Sequence, residues 1–224
     1  TTELDSCSND LYHIKLTDKQ RMGGSILAII EDQLSLETPD VENAKQIREL
    51  FNLIQNEILN KKITALHDIS DGGMLAALCE LSFTNKVGLD IFLSTSDEQI
   101  HSELFNEELG LIIQYIGEVD ELSNKLTEIG CSIEKCGVTS TAYELQIFDR
   151  KMQNIFSSSC VELEKAWQET STKIRMERDN PVCVESETNT IEKFEDLSLI
   201  YKSDFKYALD LPEIKKGIRP KVAI

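Results

Sequence analysis

Residues 63–83, ITALHDISDGGMLAALCELSF, contain the change of pattern that decides the fold. The apolar run at 63–66 predicts a short buried strand, and the polar, glycine-bearing segment 67–73 predicts a turn. The apolar residues that follow recur at helical spacing, at Leu75, Leu78, Cys79 and Phe83. The centre of the chain is therefore predicted to be a strand–loop–helix unit.

Outward from this unit, helical and extended patterns alternate along the chain. Short apolar or alternating runs predict strands at 11–16, 87–93, 109–116, 132–138 and 143–148. Helices are predicted at 26–34, 97–104 and 118–129, with a further one that starts at 38–40 and has its inner face on Val41, Ala44, Ile47, Phe51, Ile54 and Ile58. The last two strands are predicted to form a hairpin-like pair. This arrangement favours an α+β fold, a mixed β-sheet with packed helices, over a doubly wound parallel fold.

The pattern changes from residue 159 onward. Val161, Leu163, Trp167 and Ile174 predict one more helix, which ends near a stop signal at 179–181. Residues 182–215 are acidic and lack a periodic apolar face, so an extended linker is predicted there. The chain begins without methionine and stops as an apolar run begins at Val222, and we expect it to have been cut where another domain starts.

Charge and cysteine usage exclude several classes of protein. The 23 basic and 40 acidic residues give 23 − 40 = −17, which disfavours binding to nucleic acid phosphates or to anionic membranes. No apolar run approaches the length of a membrane span. The six cysteines form no CxxC pair and the three histidines lie far apart, which predicts a cytoplasmic protein with reduced thiols and no zinc site.

The segment 67–73 is the strongest candidate for chemistry. It lies where a strand ends and a helix begins, a position at which free backbone N–H groups can bind phosphate. Gly72 and Gly73 allow close approach, Asp68 is a candidate Mg²⁺ ligand, Ser70 a candidate nucleotide contact and Asp71 a candidate helix cap. An ordinary turn with a helix cap explains the same residues without any ligand.

The other candidate site residues are supported by weaker sequence signals. Glu107 and Glu108 are an adjacent carboxylate pair, of which one usually faces solvent. His67 at a strand end suits either a base or a structural hydrogen bond, and the turn at 22–25 suits phosphate contact or simple helix entry. Trp167 is predicted to be a packing anchor. No catalytic residue is assigned on this chain.

Five segments occur in an order that resembles one enzyme family. They are RMGGS at 21–25, HDISDGG at 67–73, FNEELG at 105–110, RDNP at 178–181 and RPKVAI at 219–224. In this order they resemble the second synthetase half of large-type phosphoribosylformylglycinamidine synthases, followed by the start of the glutaminase domain. The resemblance covers nearly the whole chain, and its specificity comes from the order of the segments.

The resemblance implies a fold, an activity and a site. It implies a domain similar to the C-terminal domain of AIR synthase at 1–158, a helix and acidic linker at 159–218, and the first residues of a glutaminase domain at 219–224. It implies ATP- and glutamine-dependent conversion of formylglycinamide ribonucleotide to the amidine, in which this piece is inactive alone. Asp68 then matches a Mg²⁺ ligand, and Ser70, Gly72 and Gly73 match contacts to ATP or ADP at an auxiliary site.

The partners implied are the remaining synthetase and glutaminase domains of the same polypeptide, with no nucleic acid and no membrane. Two alternatives remain open at this point. One is a non-enzymatic scaffold whose glycine loop is only a turn. The other is a different member of the superfamily of aminoimidazole ribonucleotide synthetase and selenophosphate synthetase, which share the DxSDGG loop.

Overall fold

A computed structural model describes residues 3–5, 9–33 and 35–192 of the 224-residue chain. Seven strands form one sheet: β1 (Asp10–Lys15), β2 (Ile63–Asp68), β3 (Gly88–Phe92), β4 (Gly110–Tyr115), β5 (Ser132–Ser140), β6 (Glu144–Phe148) and β7 (Asn154–Ser159). Their order is β2-β4-β1-β5-β3-β6-β7. The pair β3–β6 is parallel, and the other neighbours are antiparallel.

The described residues also form seven helices: α1 (Ile26–Ile30), α2 (Ala44–Leu59), α3 (Gly73–Asn85), α4 (Ile100–Phe105), α5 (Val119–Ile129), α6 (Cys160–Arg178) and α7 (Pro181–Thr188). A single 3-10 turn at Asp97–Gln99 precedes α4. The prediction of an α+β fold with a mixed sheet and packed helices is confirmed. The unit that holds the described residues spans Thr1–Phe194, and a second unit, Glu195–Ile224, lies outside them.

The sheet separates two apolar cores. Ile112 and Ile113 are neighbours on β4, yet they belong to different cores because successive side chains of a strand point to opposite faces. Leu78 of α3 is fully buried in the first core and Leu122 of α5 in the second. Burial of each such side chain contributes about 1.5–3 kcal/mol, so both faces of the sheet stabilise its central strands.

The predicted hairpin of the late strands is wrong. β5 and β6 follow one another in sequence, but β3 lies between them and pairs with both. Strand β7 was not predicted, because its sequence NIFSSS is half serine and it is an exposed edge strand that pairs with β6. Before it, the Asp149 carboxylate accepts hydrogen bonds from the N–H groups of Lys151 and Gln153 and closes the turn.

Helix boundaries also differ from the predictions. Helix α1 ends at Ile30 rather than 34, with Asp32 at a φ of 52° shortly after. Helix α2 starts after the Asn43 cap rather than at 38–40, because the Asn43 carboxamide accepts from two N–H groups of the first turn. Phe51, predicted on its inner face, is 61% exposed, and Val41 precedes the helix.

The helix predicted from residue 159 is α6, and it ends at the predicted stop signal, since Asn180 caps the next helix and Pro181 begins it. The predicted extended linker, 182–215, is wrong over 182–188, where α7 forms. Val184 and Ile191 are buried there, and Arg175 of α6 binds Glu187 at 2.8 Å. The remainder of the linker prediction, 193–215, and the predicted glutaminase start at 219–224 lie outside the described residues.

Candidate functional site

Three of the sequence motifs meet at one end of the sheet. Strand β2 ends at Asp68, which pairs with Leu111 near the start of β4, and β1 ends at Lys15 opposite Gly110. The loop between α4 and β4 therefore lies beside the ends of two other strands. In this loop, Glu108 contacts the segment at 21–26, and Glu107 contacts both that segment and the segment at 67–73.

Glu108 is buried and paired with Arg21. Its carboxylate accepts from Arg21 Nε at 2.6 Å and from Nη2 at 2.8 Å, and it also accepts from the Arg21 backbone N–H at 3.1 Å. Glu108 is only 6% exposed, and these hydrogen bonds raise the pKa of the Arg21 guanidinium. A carboxylate held by two parallel N–H bonds and a backbone N–H is bound as a structural anchor, and it is not free to act as an acid or base.

Glu107 joins two glycine-bearing loops. One of its oxygens, Oε1, accepts from the backbone N–H of Gly72 at 2.9 Å and from that of Ile26 at 2.9 Å. Ile26 is the first residue of α1, and Gly72 directly precedes α3. Glu107 therefore supplies the negative charge that helix starts favour, at two helices together. The Gly73 N–H is engaged as well, with the Ser70 carbonyl at 3.0 Å.

The backbone at Gly72 and Gly73 requires glycine. Both residues have positive φ, 84° and 69°, and a Cβ on Gly73 would lie 2.6 Å from the Asn106 carbonyl oxygen. Gly72 occupies the cap position of α3 without a side-chain cap. The expectation that Asp71 caps this helix is therefore wrong, because the cap position falls one residue later and Glu107 binds the N–H from outside.

Asp68, Ser70 and Asp71 face solvent. The Asp68 side chain is 74% exposed, and Ile69 between these polar residues is buried. Within residues 3–5, 9–33 and 35–192, no three acidic, histidine or cysteine side chains are grouped as a metal site. A lone exposed carboxylate suits Mg²⁺, which commonly takes one or two carboxylates together with phosphate and water. Asp68 fits that role only if other oxygens arrive with a ligand or another domain.

His67 is held between two elements beside Asp68. Its Nδ1 lies 2.7 Å from the Asp68 carbonyl oxygen, and its Nε2 lies 3.1 Å from Oε2 of Glu80 on α3. Trp167 of α6 donates from Nε1 to Glu80 Oε1 at 3.0 Å, and its ring packs at a tilt against Phe83, with the ring centroids 5.8 Å apart. Trp167 is a packing anchor as predicted, although it is 56% exposed.

A small polar cavity lies behind the Arg21–Glu108 pair. Its volume is about 60 Å³, enough for a few waters, and His13 and Lys15 line it. His13 is buried, and its Nδ1 has no hydrogen bond within the described residues. Burial, together with the Lys15 charge, lowers the pKa of His13 to about 3, which keeps the ring neutral.

Apolar grooves flank the motif segment on both sides. One, of about 290 Å³, runs between α2 and the β2–β4 strands and reaches Asp68. The other, of about 240 Å³, lies between α1, α3 and α6 and reaches Gly72. The solvent-facing residues of segment 67–73 thus lie on a ridge between two concave apolar surfaces.

Sequence reasoning found the segments but missed several of the contacts. It placed Asp68, Ser70, Gly72 and Gly73 correctly on one strand–helix connection. It did not identify Arg21 as the partner of Glu108, or Glu80 as the partner of His67, because nothing in a single sequence specifies pairs that are 87 and 13 residues apart. The order of the three motifs along the chain was the only sequence signal that could have indicated that these segments meet.

A family model and a curated relative match this chain. The model described as "AIR synthase related protein, C-terminal domain" matches residues 10–149. The phosphoribosylformylglycinamidine synthase of Schizosaccharomyces pombe is 36% identical over 228 residues, which cover 98% of this chain and 17% of that protein. The chain therefore spans about a sixth of the length of this relative.

Solved structures share the fold. T. maritima PurL complexed with FGAR superposes with a TM-score of 0.60 at 11% identity, covering 72% of this chain and 29% of that one. T. maritima PurL complexed with ATP gives a TM-score of 0.55 at 10% identity, covering 70% and 26%. At these identities the likeness concerns the fold alone. In the described part of the chain, no helix is both long and apolar enough to cross a bilayer.

Proposed function

The chain belongs to the family of the AIR synthase related protein, C-terminal domain, and from that premise we propose that it is a segment of a phosphoribosylformylglycinamidine synthase. The observation that carries the proposal is the 36% identity to the S. pombe enzyme across 98% of this chain. Because the matched region is 17% of that enzyme, the reaction requires the rest of the polypeptide, and this segment is inactive alone.

The enzyme that contains the segment is proposed to be an ATP-dependent carbon–nitrogen ligase of purine synthesis with glutamine as amide donor. It converts formylglycinamide ribonucleotide to the amidine in the cytoplasm. The partners of the segment are then the remaining synthetase and glutaminase domains of the same polypeptide. The proposed division is 1–158 for the synthetase-type domain, 159–218 for the helix and linker, and 219–224 for the glutaminase start.

Within this enzyme, the segment is proposed to contribute one side of an auxiliary Mg²⁺–nucleotide site. The Asp68 carboxylate would bind the metal, and the Ser70 hydroxyl would contact the nucleotide. Both side chains face solvent at the end of β2, which supports this assignment. The bound nucleotide would supply phosphate oxygens that complete the metal coordination.

Gly72 and Gly73 are proposed to let the nucleotide approach the backbone closely, rather than to donate hydrogen bonds to it. Their positive φ angles favour glycine, so this part of the connection carries no side chains. Their N–H groups, however, already bind Glu107 and the Ser70 carbonyl. A phosphate that bound the Gly72 N–H would have to displace the Glu107 carboxylate, which also holds α1.

The test uses the full-length enzyme and its thermal midpoint with and without Mg-ADP. A ligand that binds only the native state stabilises it by RT ln(1 + [L]/Kd), about 3–4 kcal/mol when it is present at a hundred to a thousand times Kd. Asp68→Asn keeps the shape but loses the charge that binds the metal, so we expect this stabilisation to disappear. Asp71→Asn is the matched control, and it should retain the stabilisation because Asp71, although exposed in the same loop, is not proposed to bind the metal or the nucleotide.

The result that overturns the auxiliary site is specific. If Asp68→Asn abolished turnover and left the Mg-ADP stabilisation intact, Asp68 would take part in the reaction instead. If wild-type enzyme showed no Mg-ADP stabilisation, the nucleotide site would be absent from this segment.

A scaffold role is the second candidate, and the Glu107 contacts favour it. A carboxylate of the chain itself occupies the place where a phosphate would bind the Gly72 N–H, so the turn is complete without ligand. Under this alternative, Asp68→Asn changes neither nucleotide binding nor turnover of the full-length enzyme. ATP hydrolysis by the purified segment that was lost on Asp68→Ala would contradict both candidates.

A further inference from the structure

A series of side-chain contacts links the end of β2 to α6, a helix that lies outside the family-matched region 10–149. The imidazole of His67 contacts the Asp68 carbonyl oxygen at 2.7 Å on one side and Glu80 at 3.1 Å on the other. The Asp68 carboxylate oxygen Oδ1 also lies 3.8 Å from the same ring nitrogen. His67 therefore contacts the backbone carbonyl of Asp68 at hydrogen-bond distance and lies near its carboxylate, so the ring fixes the backbone from which that carboxylate extends.

Glu80 in turn is fixed from α6. Its second oxygen accepts the Trp167 N–H at 3.0 Å, and the indole packs at a tilt against Phe83, one turn further along α3. Each carboxylate oxygen of Glu80 thus has a separate partner. Trp167 belongs to α6, whose residues 160–178 follow the family match at 10–149.

We propose that Glu80 is a positioning residue for Asp68, holding the end of β2 through His67 while being held itself by Trp167 of α6. The effect expected is on metal affinity, since groups that orient a metal ligand typically change affinity 10- to 100-fold when removed. The proposal rests on the proposed function of Asp68 as a Mg²⁺ ligand. It adds that the position of α6 influences this site.

The experiment measures the Mg²⁺ concentration that gives half of the ADP-dependent thermal stabilisation in the full-length enzyme. Glu80→Ala should raise this concentration about tenfold at saturating ADP. Glu80→Gln should stay closer to wild type, because its carbonyl oxygen still accepts from Trp167 and its amide still reaches His67. Trp167→Phe keeps an aromatic ring against Phe83 but loses the N–H, and a smaller rise in the Mg²⁺ concentration is expected.

A control on α6 separates positioning from general loosening of the helix. The Glu169 carboxylate pairs with Lys173 at 2.6 Å and is 62% exposed, so Glu169→Gln should leave the Mg²⁺ requirement unchanged. A merely structural role of Glu80 would lower the ligand-free midpoint in Glu80→Ala and Trp167→Phe without moving the Mg²⁺ requirement.

The outcomes distinguish the two proposals. A wild-type enzyme with no Mg²⁺-dependent stabilisation overturns the auxiliary site and this inference together. A wild-type enzyme that responds to Mg²⁺, with an unchanged requirement in all three Glu80 and Trp167 variants, overturns the inference alone. If Glu80→Ala fails to fold, the Mg²⁺ requirement of Trp167→Phe still decides the question.

Discussion

The junction around Arg21, Glu107 and Glu108 and the edge at Asp68 and Ser70 come from the same sequence motifs, but their surroundings differ. At the junction, both oxygens of the buried Glu108 accept from Arg21, and Oε1 of the half-buried Glu107 accepts from two backbone N–H groups. At the edge, the Asp68 carboxylate is 74% exposed. Some motif residues hold the fold together, and others are exposed and able to bind a ligand. Packing, rather than residue type, determines which role a motif residue has.

The largest effect should follow from breaking the buried pair. Glu108→Ala leaves Arg21 without its two-bond partner in a covered position, and we expect a loss of about 3 kcal/mol in the free energy of unfolding. That corresponds to a midpoint lower by roughly 6–12 °C for a domain of this size. Denaturant and thermal unfolding of the chain measure it.

Glu42 provides the control for this prediction. It also contacts Arg21, at 3.2 Å, but its side chain is 48% exposed. Glu42→Ala should lower the free energy of unfolding much less than Glu108→Ala, because exposed ion pairs contribute little to stability. Equal losses for the two variants would mean that burial does not distinguish the junction.

The neutral His13 behind the junction predicts a pH dependence. Its pKa is about 3 when folded, whereas an unfolded histidine titrates near the ordinary value of about 6.5. Between these values the unfolded chain binds the extra proton, so stability falls as the pH is lowered from 6.5 towards 3. At pH 5, which is about 1.5 pH units below 6.5, the neutral His13 lowers the free energy of unfolding by about 2 kcal/mol, because each pH unit corresponds to about 1.4 kcal/mol.

His13→Gln isolates this contribution. The variant has a neutral side chain at every pH, so its unfolding free energy should fall less steeply than that of wild type between pH 6.5 and 5. Parallel pH profiles for the two proteins would show that the ring is charged in the folded state, for example through Glu134, whose carboxylate lies 4.0 Å from Nδ1.

The smallest effect at the junction should come from Glu107. Glu107→Ala leaves the N–H groups of Gly72 and Ile26 without their acceptor, and we expect a loss of about 1–2 kcal/mol. Asp68→Asn and Asp71→Asn, measured without ligand, should stay within about 0.5 kcal/mol because both side chains are exposed. If Asp68→Asn were as destabilising as Glu107→Ala, the contrast between junction and edge would fail.

Local patterns predicted much of this fold. The strand β2, the loop after it and helix α3 follow from spacing within 21 consecutive residues, and Asn180–Pro181 correctly ends α6. The same reasoning failed where pairing is non-local. Nothing in β5 or β6 indicates that β3 inserts between them, and the serines of β7 do not carry the apolar alternation by which strands are recognised.

The candidate site was predictable in part for the same reason. The residues of segment 67–73 are contiguous, so a strand–turn–helix pattern placed them together. The Gly72 N–H binds Glu107, 35 residues later, and the sequence gives no sign that this glutamate reaches back to it. Predicting Asp71 as the helix cap failed on this point.

The position of β1 in the middle of the sheet has a consequence for synthesis on the ribosome. His13 pairs with Ile112 of β4 and with Glu134 of β5, which follow it by 112 − 13 = 99 and 134 − 13 = 121 residues. At translation rates of about 5–20 residues per second, β1 leaves the ribosome about 5–25 s before either neighbouring strand is available. Both of its edges stay unpaired over that interval, and the nascent chain then exposes Leu11 and Ile14, which are fully buried in the finished domain. We therefore expect chaperones to bind the unpaired β1 strand of the nascent chain. Slowing elongation between β1 and β4 should increase aggregation more than slowing it after β5.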